Sequence, residues 1–533
     1  MSVKLGAAVA KALADHGVDT MFGVMGEGNL LIIDHFVHEL GLTYVTAANE
    51  FGAVTMANGY AQAGGRVGVA TVTQGPGLTN TITALRDCVS AGSPVVLIAG
   101  ATHDRENKQF IEQAEYVAPT GAVFINVESR HSVLHDVARA VTVARTERCP
   151  VVLNIAVEIQ DEEVAYRSVE QGTATPTPLD DDELEAALGM ISVARRPLVL
   201  AGYGTVLGGA EEAVRALAER LGAPLATTLR GKELFSGDPR SIGICGGLSS
   251  PEGSAVIDRA DCIIAIGASL SKLTTERGAL FQGKTVIECD VDPARLGFNL
   301  DVDAVIAGDA AAVARQIVEY LDLAEIGATR FHEEALQLRA ANGSAGYVDR
   351  SGDGMVDIRT ALAAVEKAVP AERTLVVDVR RFMEETVRRV HAPDAAAYVY
   401  GASFGAVGIG MGAAIGASFA RSDRPALLIC GDGGFMMTGL TEFNTAVRHD
   451  RDLICVVLND GCYGAEEIQL RDQGRNRDLA MFDWPGFEGI ATALGGSAVT
   501  VTSLDELDGI AGVIAERRGP LLIDIRISPD GIA

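Results

Sequence analysis

The sequence predicts an α/β protein made of three doubly wound parallel-sheet domains. Two observations carry this. Near-continuous apolar runs of strand length alternate with stretches of helical periodicity, and the alternation starts afresh three times along the chain. Strands that are apolar on both faces belong to parallel sheets covered by helices on both sides. A chain of 533 residues has room for three or four domains at roughly 150 residues each. Its 48% hydrophobic and 22% charged residues are globular composition and exclude a disordered chain.

The first block, residues 1–170, offers strands at TMFGVM, TYVTAA, VGVATVT, PVVLIAG and PVVLNIAV. The second, 183–330, offers PLVLAG, APLATT, CIIAIGA and KTVIECDVD. The third, 355–533, offers TLVVDV, AYVYG, PALLICGDG, LICVVLND and PLLIDIRI. Between them lie a Pro/Thr linker that turns acidic (171–182) and a small, polar, Gly-rich stretch (340–354), both typical of inter-domain composition. The N-terminus reads as an amphipathic helix, with charges where a signal peptide is apolar. The Gly/Ala-rich stretch at 405–420 is a poor membrane span and a good closely packed helix.

Forty-four Lys+Arg against 71 Asp+Glu give a net charge of −27, which removes any general electrostatic attraction to nucleic acid or an anionic membrane. The eight cysteines form no C-x-x-C pair, and several sit inside apolar runs, as Cys262 and Cys430 do. That usage reads as reduced thiols in a cytoplasmic protein.

Several motifs mislead. Residues 278–285 fit G-x-x-x-x-G-K-[ST], the basis for an NTPase reading. A phosphate loop, however, needs a strand before it and a helix after it, and here the strand-like TVIECDVD follows. Gly202-Tyr-Gly204 misses G-x-G-x-x-G because Gly208 falls one position late. His131 and His135 have helical spacing without H-E-x-x-H, so a solvated face is the better reading.

The third block carries the informative pattern. Gly431-Asp432-Gly433-Gly434 follows one apolar strand, a helical stretch comes next, and a second strand ends in Asn459-Asp460-Gly461. Asp432 and Asn459 therefore stand at the carboxyl ends of successive parallel strands, the edge where open α/β sheets bind ligands. A carboxylate, an amide oxygen and the backbone carbonyl of Gly461 are three hard donors. They suit Mg²⁺ with phosphate and water completing its shell. The glycines let backbone N–H groups approach an anion.

GDG followed by NDG at this interval resembles the signature of thiamine diphosphate (ThDP) enzymes. The similarity spans the chain in one order: pyrimidine-binding, central and diphosphate-binding domains. TAANEFGAVTMANGYAQAGG resembles the stretch holding the cofactor-activating glutamate, here Glu50. VGVATVTQGPGLTNTITAL resembles the pyrimidine-side loop, with Gly75, Pro76, Gly77 and Asn80. GASFGAVGIGMGAAIGA resembles the stretch before GDG, in which Gly405 would offer a carbonyl to the aminopyrimidine and Val407 would bend the cofactor. The group most similar holds the acetolactate synthases, pyruvate decarboxylases and benzoylformate decarboxylases.

That resemblance implies ThDP and Mg²⁺ as cofactors and a hydrogen bond from Glu50 to the pyrimidine N1′. It also implies a small 2-oxo acid or ketone substrate, and a homodimer or homotetramer whose sites are shared between subunits. FAD in the central domain is compatible with the group, but no motif here indicates it. On the substrate side, Glu27 stands where the decarboxylases carry Gly-Asp. His103 falls near their paired histidines, though only one is present, and Gln113 or Gln109 resembles an active-site glutamine. No lysine occurs between Lys108 and Lys232, where acetolactate synthases carry one. Tyr463 and Glu466 follow the metal turn and are placed to close over a site. Arg380 or Arg381 is a candidate for a substrate carboxylate, with a surface ion pair as the alternative. The expected activity is 2-oxo acid decarboxylation with carboligase ability. The alternative is cleavage of a diketone or 2-hydroxyketone.

Overall fold

The computed structural model describes residues 2–169, 179–342 and 346–529. Most of the linker expected at 171–182, and residues 343–345 of the second one, lie outside these. Twenty strands are described. The first block contains β1 (Ser2–Lys4), β2 (Thr20–Gly23), β3 (Thr43–Thr46), β4 (Gly68–Val72), β5 (Val95–Ala101), β6 (Val123–Val127), β7 (Val151–Ala156) and β8 (Glu163–Ala165). The second contains β9 (Pro197–Ala201), β10 (Leu225–Thr227), β11 (Ser241–Ile244), β12 (Cys262–Ile266), β13 (Thr285–Asp290) and β14 (Ala304–Ala307). The third contains β15 (Thr374–Asp378), β16 (Tyr398–Tyr400), β17 (Ala426–Gly431), β18 (Leu453–Asn459), β19 (Ser497–Val501) and β20 (Leu521–Arg526).

Three six-stranded sheets result, ordered β3-β2-β4-β5-β7-β6, β11-β10-β9-β12-β13-β14 and β16-β15-β17-β18-β20-β19. The first two are parallel throughout, and so are β15, β17, β18, β20 and β19 in the third. β1 and β8 form a separate antiparallel pair. Three doubly wound α/β domains are therefore present, as the apolar runs predicted. Six strands escaped that reading: the short pair β1 and β8, and β6, β11, β14 and β19, which are edge strands of the three large sheets. One side of an edge strand meets solvent, so its apolar run is broken, as in the half-exposed patterns of β11 and β19.

The chain packs into two compact units. One joins residues 1–173, 349–392 and 399–533, and the other holds 174–348 with 393–398. In the first unit the outer blocks share a continuous core, in which Phe22, Val54 and Met56 meet Ile415, Leu428 and Phe443. Its centre is a crossing of two small-residue helices, Glu50–Gly64 and Gly410–Ala420. A Cβ on Gly59 would lie 2.0 Å from the Ala413 carbonyl oxygen, and one on Gly416 would lie 1.9 Å from that of Met56. Only glycine permits this approach. The Gly/Ala-rich helix of the 405–420 stretch thus packs closely, as its composition predicts, against the chain's own first block, and it begins at Gly410 after a loop.

In the second unit, the 278–285 segment runs from a short 3₁₀ turn straight into β13. Lys284 Nζ donates to the Asp258 and Ala260 carbonyls. No helix N-terminus follows to receive phosphate, which removes the NTPase reading. His131 precedes the Val133–Glu147 helix instead of lying on it. No described helix is long and apolar enough to cross a membrane.

Candidate active site

Parallel strands end together, so the loops after them collect side chains at one sheet edge. In the first block, Glu27 follows β2, Glu50 opens the helix after β3, Gly75 to Asn80 follow β4, and His103 follows β5. Asn49 caps the Glu50 helix by accepting from Gly52 N–H at 2.7 Å, and Asn80 Nδ2 donates to Glu50 Oε2 at 3.0 Å. The pyrimidine-side loop and the candidate glutamate therefore touch. Gly75 adopts φ +60°, and a Cβ there would lie 2.3 Å from the Gln109 carbonyl oxygen.

Gln113 is buried beneath this loop. Its Oε1 accepts from Gly75 N–H at 2.9 Å, and its Nε2 donates to the Gly100 carbonyl at 3.0 Å and to Asn154 Oδ1. These bonds shape the Gly75 turn. Glu27 and His103 are exposed, and the His103 backbone N–H donates to Glu158 Oε1. Beside them, the Gln74 Nε2 amide is buried without a hydrogen-bond partner among the described residues. Gln74 was not singled out from sequence.

In the third block, Asp432 begins a short helix after β17, and Asn459 ends the adjacent β18. Both are 2% exposed. Burial first, and the nearby Asp460 carboxylate second, push the Asp432 carboxyl up to about 7. Asn459 Nδ2 donates to Asp524 Oδ1 at 2.8 Å, which fixes the amide, and its Oδ1 accepts from Gly461 N–H at 3.2 Å. The Gly461 carbonyl accepts from Phe482 N–H at 2.7 Å. Open space surrounds the Cβ position of Gly431, whereas one on Gly433 would lie 2.9 Å from the Tyr463 ring. Gly434 faces Val407, whose Cγ1 is 3.5 Å from its Cβ position.

The loop bearing Gly405 (φ +91°) and Val407 is pinned at both ends. Phe404 N–H donates to Asp87 Oδ1 at 2.7 Å, and Gly410 N–H donates to Asp378 Oδ2 at 2.8 Å. Asp87 belongs to the first block and also accepts from Asn58 Nδ2. Buried Glu442, on the helix beyond GDG, accepts from the N–H groups of Ala48 and Asn49 at 3.1 and 3.2 Å, just before Glu50. The two blocks thus hold each other's loops within one chain. Arg381 is no surface pair: 4% exposed, it lies 3.2 Å from both Asp460 and Glu467. Arg380 and Glu466 are exposed.

Asp87, Asp378, Glu442, Asp524 and Trp484, whose indole N–H donates to Asp432 Oδ2, were invisible as site residues. Each acts on a loop far away in sequence, and no local spacing marks such a role. The donors nevertheless fit ThDP with Mg²⁺. Among the described residues, no three His, Cys, Asp or Glu side chains gather for a metal. One carboxylate, one amide oxygen and one carbonyl beside open space at Gly431 leave coordination positions that phosphate oxygens would fill, and a cation there would relieve the crowding of Asp432 and Asp460.

Comparison with known proteins supports ThDP as the cofactor. Three thiamine pyrophosphate enzyme models match in order: the N-terminal TPP binding domain at 3–118, the central domain at 184–317 and the C-terminal TPP binding domain at 383–525. A sulfoacetaldehyde acetyltransferase from Alcaligenes xylosoxydans xylosoxydans is 28% identical, over 92% of this chain and 87% of that protein. A probable 2-ketoarginine decarboxylase from Pseudomonas aeruginosa is 28% identical over 98% and 93%. The acetolactate synthase isozyme 2 large subunit of Escherichia coli is 28% identical over 97% and 94%. Four motifs, three matched domains and a donor set suited to a metal–diphosphate place this chain in the family of thiamine diphosphate-dependent enzymes, within the acetolactate synthase group.

Proposed function

We propose that the protein is a 2-oxo acid decarboxylase with carboligase ability, dependent on ThDP and Mg²⁺ and working in the cytoplasm. The observation that carries the reading is the pairing of buried Asp432 with Asn459 at the ends of adjacent strands, in a chain whose Glu50 opens a helix at the other sheet's carboxyl edge. Seven of the eight cysteines are buried as small apolar side chains, a usage that supports a reducing compartment. Residues 1–170 serve the pyrimidine, 183–330 form the central domain and 355–533 serve the diphosphate.

Asp432, Asn459 and the Gly461 carbonyl would hold Mg²⁺, and the N–H groups around Gly431, Gly433 and Gly434 would meet the diphosphate. Glu50 would share a proton with the pyrimidine N1′ while Asn80 fixes its carboxylate, and Gly75 would line the ring. Gly405 would present its carbonyl to the aminopyrimidine, and Val407, facing Gly434, would support the cofactor from beneath. When bound, ThDP supplies the nucleophilic carbon and the electron sink for breaking a bond next to a carbonyl. Glu27 and His103 exchange protons with the substrate, and Gln113 acts by holding the Gly75 loop. Two chains share each site, in a homodimer or a homotetramer.

The test is a screen of 2-oxo acids, alone and with an acceptor aldehyde, in the presence of ThDP and Mg²⁺. CO₂ release is followed and products are identified. Decarboxylation of at least one acid is expected, with a hydroxyketone when the acceptor is present. Turnover confined to diketones or 2-hydroxyketones, without CO₂, would overturn the proposal.

A further inference from the structure

The chain has a single tryptophan, and it lies at the proposed metal site. Trp484 Nε1–H donates to Asp432 Oδ2 at 2.7 Å. Its ring stacks on Phe482 with centroids 4.5 Å apart and planes 11° apart, and Tyr463 tilts against the same Phe482 ring at 4.4 Å. The backbone joins the same layer. Phe482 N–H donates to the Gly461 carbonyl, Tyr463 N–H donates to the Ala480 carbonyl at 2.9 Å, and Cys462 bridges Met481. One short segment, 480–484, thus grips two of the three proposed metal ligands, one by a side chain and one by the backbone.

We propose that Trp484 is a positioning residue for the cation: its indole N–H fixes the Asp432 carboxylate, while the Phe482 N–H fixes the Gly461 carbonyl. This inference rests on the metal role of Asp432. A carboxylate keeps acceptor capacity on both oxygens when one takes a neutral N–H donor, and a carbonyl has a second lone pair. Neither bond therefore needs to break when a cation arrives. Groups that orient metal ligands in this way typically contribute about 10- to 100-fold in metal affinity. The Tyr463–Phe482–Trp484 stack gives the indole a rigid support, so the carboxylate plane is set before binding. A latch that had to open would behave in the opposite sense, because removing it would tighten binding.

The experiment titrates the apoprotein with Mn²⁺ in excess ThDP and counts free Mn²⁺ by electron paramagnetic resonance. Trp484→Phe keeps an aromatic ring to stack on Phe482 and loses the N–H together with part of the ring. It should bind Mn²⁺ about 10- to 100-fold more weakly, with the apoprotein's melting temperature unchanged. Affinity equal to or tighter than wild type overturns the proposal. Asp432→Ala runs beside it. If that variant binds Mn²⁺ and ThDP as wild type does, the metal assignment fails; if it loses both while Trp484→Phe matches wild type, only the positioning role fails. Should Trp484→Phe not fold, wild-type protein labelled with 5-fluorotryptophan gives one ¹⁹F resonance. That resonance should shift when Mg²⁺ and ThDP are added together, and a resonance that stays put overturns the proposal.

Discussion

A carboxyl at 2% exposure with a second carboxylate near it is costly to ionise unless a cation stands beside it. Asp432 is in that position, so its charge and the cation depend on each other. Asp432→Ala should weaken ThDP binding in Mg²⁺ by at least about 100-fold, since losing a ligand costs more than losing a group that orients one. Asn459→Ala should weaken it less, because a neutral donor is lost. Calorimetry with ThDP and Mg²⁺ reads both, and wild-type affinity in Asp432→Ala would remove the assignment. Asp378 gives a different test. Burial pushes its carboxyl up to about 6 from the ordinary 3.8, while it accepts the Gly410 N–H. A folded-state value above the unfolded one means that the folded protein holds the proton more tightly. The contribution is complete below about pH 4 and is lost as the pH rises through about 6, on the order of 3 kcal/mol in all. Asn cannot titrate and keeps an acceptor for Gly410. The melting temperature of wild type minus that of Asp378→Asn should therefore fall between pH 5 and pH 7. A flat difference would show that Asp378 does not titrate there. At this scale Asp432 and Asn459 were legible because each ends an apolar strand, whereas Asp378 and Trp484 announce themselves only through the loops they hold.

Two helices made of small residues place the proposed catalytic glutamate. The Glu50 helix crosses Gly410–Ala420 so closely that backbone meets backbone at Gly59 and Gly416. Gly416→Ala puts a methyl 1.9 Å from the Met56 carbonyl oxygen, so the helices must separate. Overpacking of this kind costs about 1–3 kcal/mol, occasionally more. Since backbone is the obstacle here, the upper part of that range is expected, read as a lowered urea midpoint. An unchanged midpoint would mean that the helices do not cross this closely. The Gly/Ala content of the 405–420 stretch made the close approach legible. Its partner was not, because small residues carry no address and fit any helix equally small. Strands divided in the same way. Central ones such as β5 and β18 are buried along their whole length and read as unbroken apolar runs, while β14 and β19 alternate or stay half-exposed and dropped out.

Three repeats of strand–helix rhythm were enough to count the domains of the whole molecule, because each buries its own sheet. They did not tell that the first and third blocks share one core, since that depends on which apolar faces meet. This sharing bears on assembly. Glu442 and Asp87 tie the two blocks within one chain, so a site built inside a single chain competes with one shared between two. The family resemblance favours the shared site, and subunit mixing distinguishes the two arrangements. Glu50→Gln should lower turnover by about 10²- to 10⁴-fold, because an amide cannot share a proton with N1′ as a carboxyl does. Asp432→Ala should be inactive through loss of ThDP. Neither variant recovers alone. If Glu50 of one chain meets Asp432 of another, a mixed dimer holds one site with both residues intact and one with neither. Equal mixing makes half of the dimers mixed, so about a quarter of wild-type activity should return. If both residues serve one site within a chain, every site in the mixture carries a defect and nothing returns. Native mass spectrometry establishes that exchange has occurred, so that absent recovery with confirmed mixed dimers would place Glu50 and Asp432 in the same subunit's site.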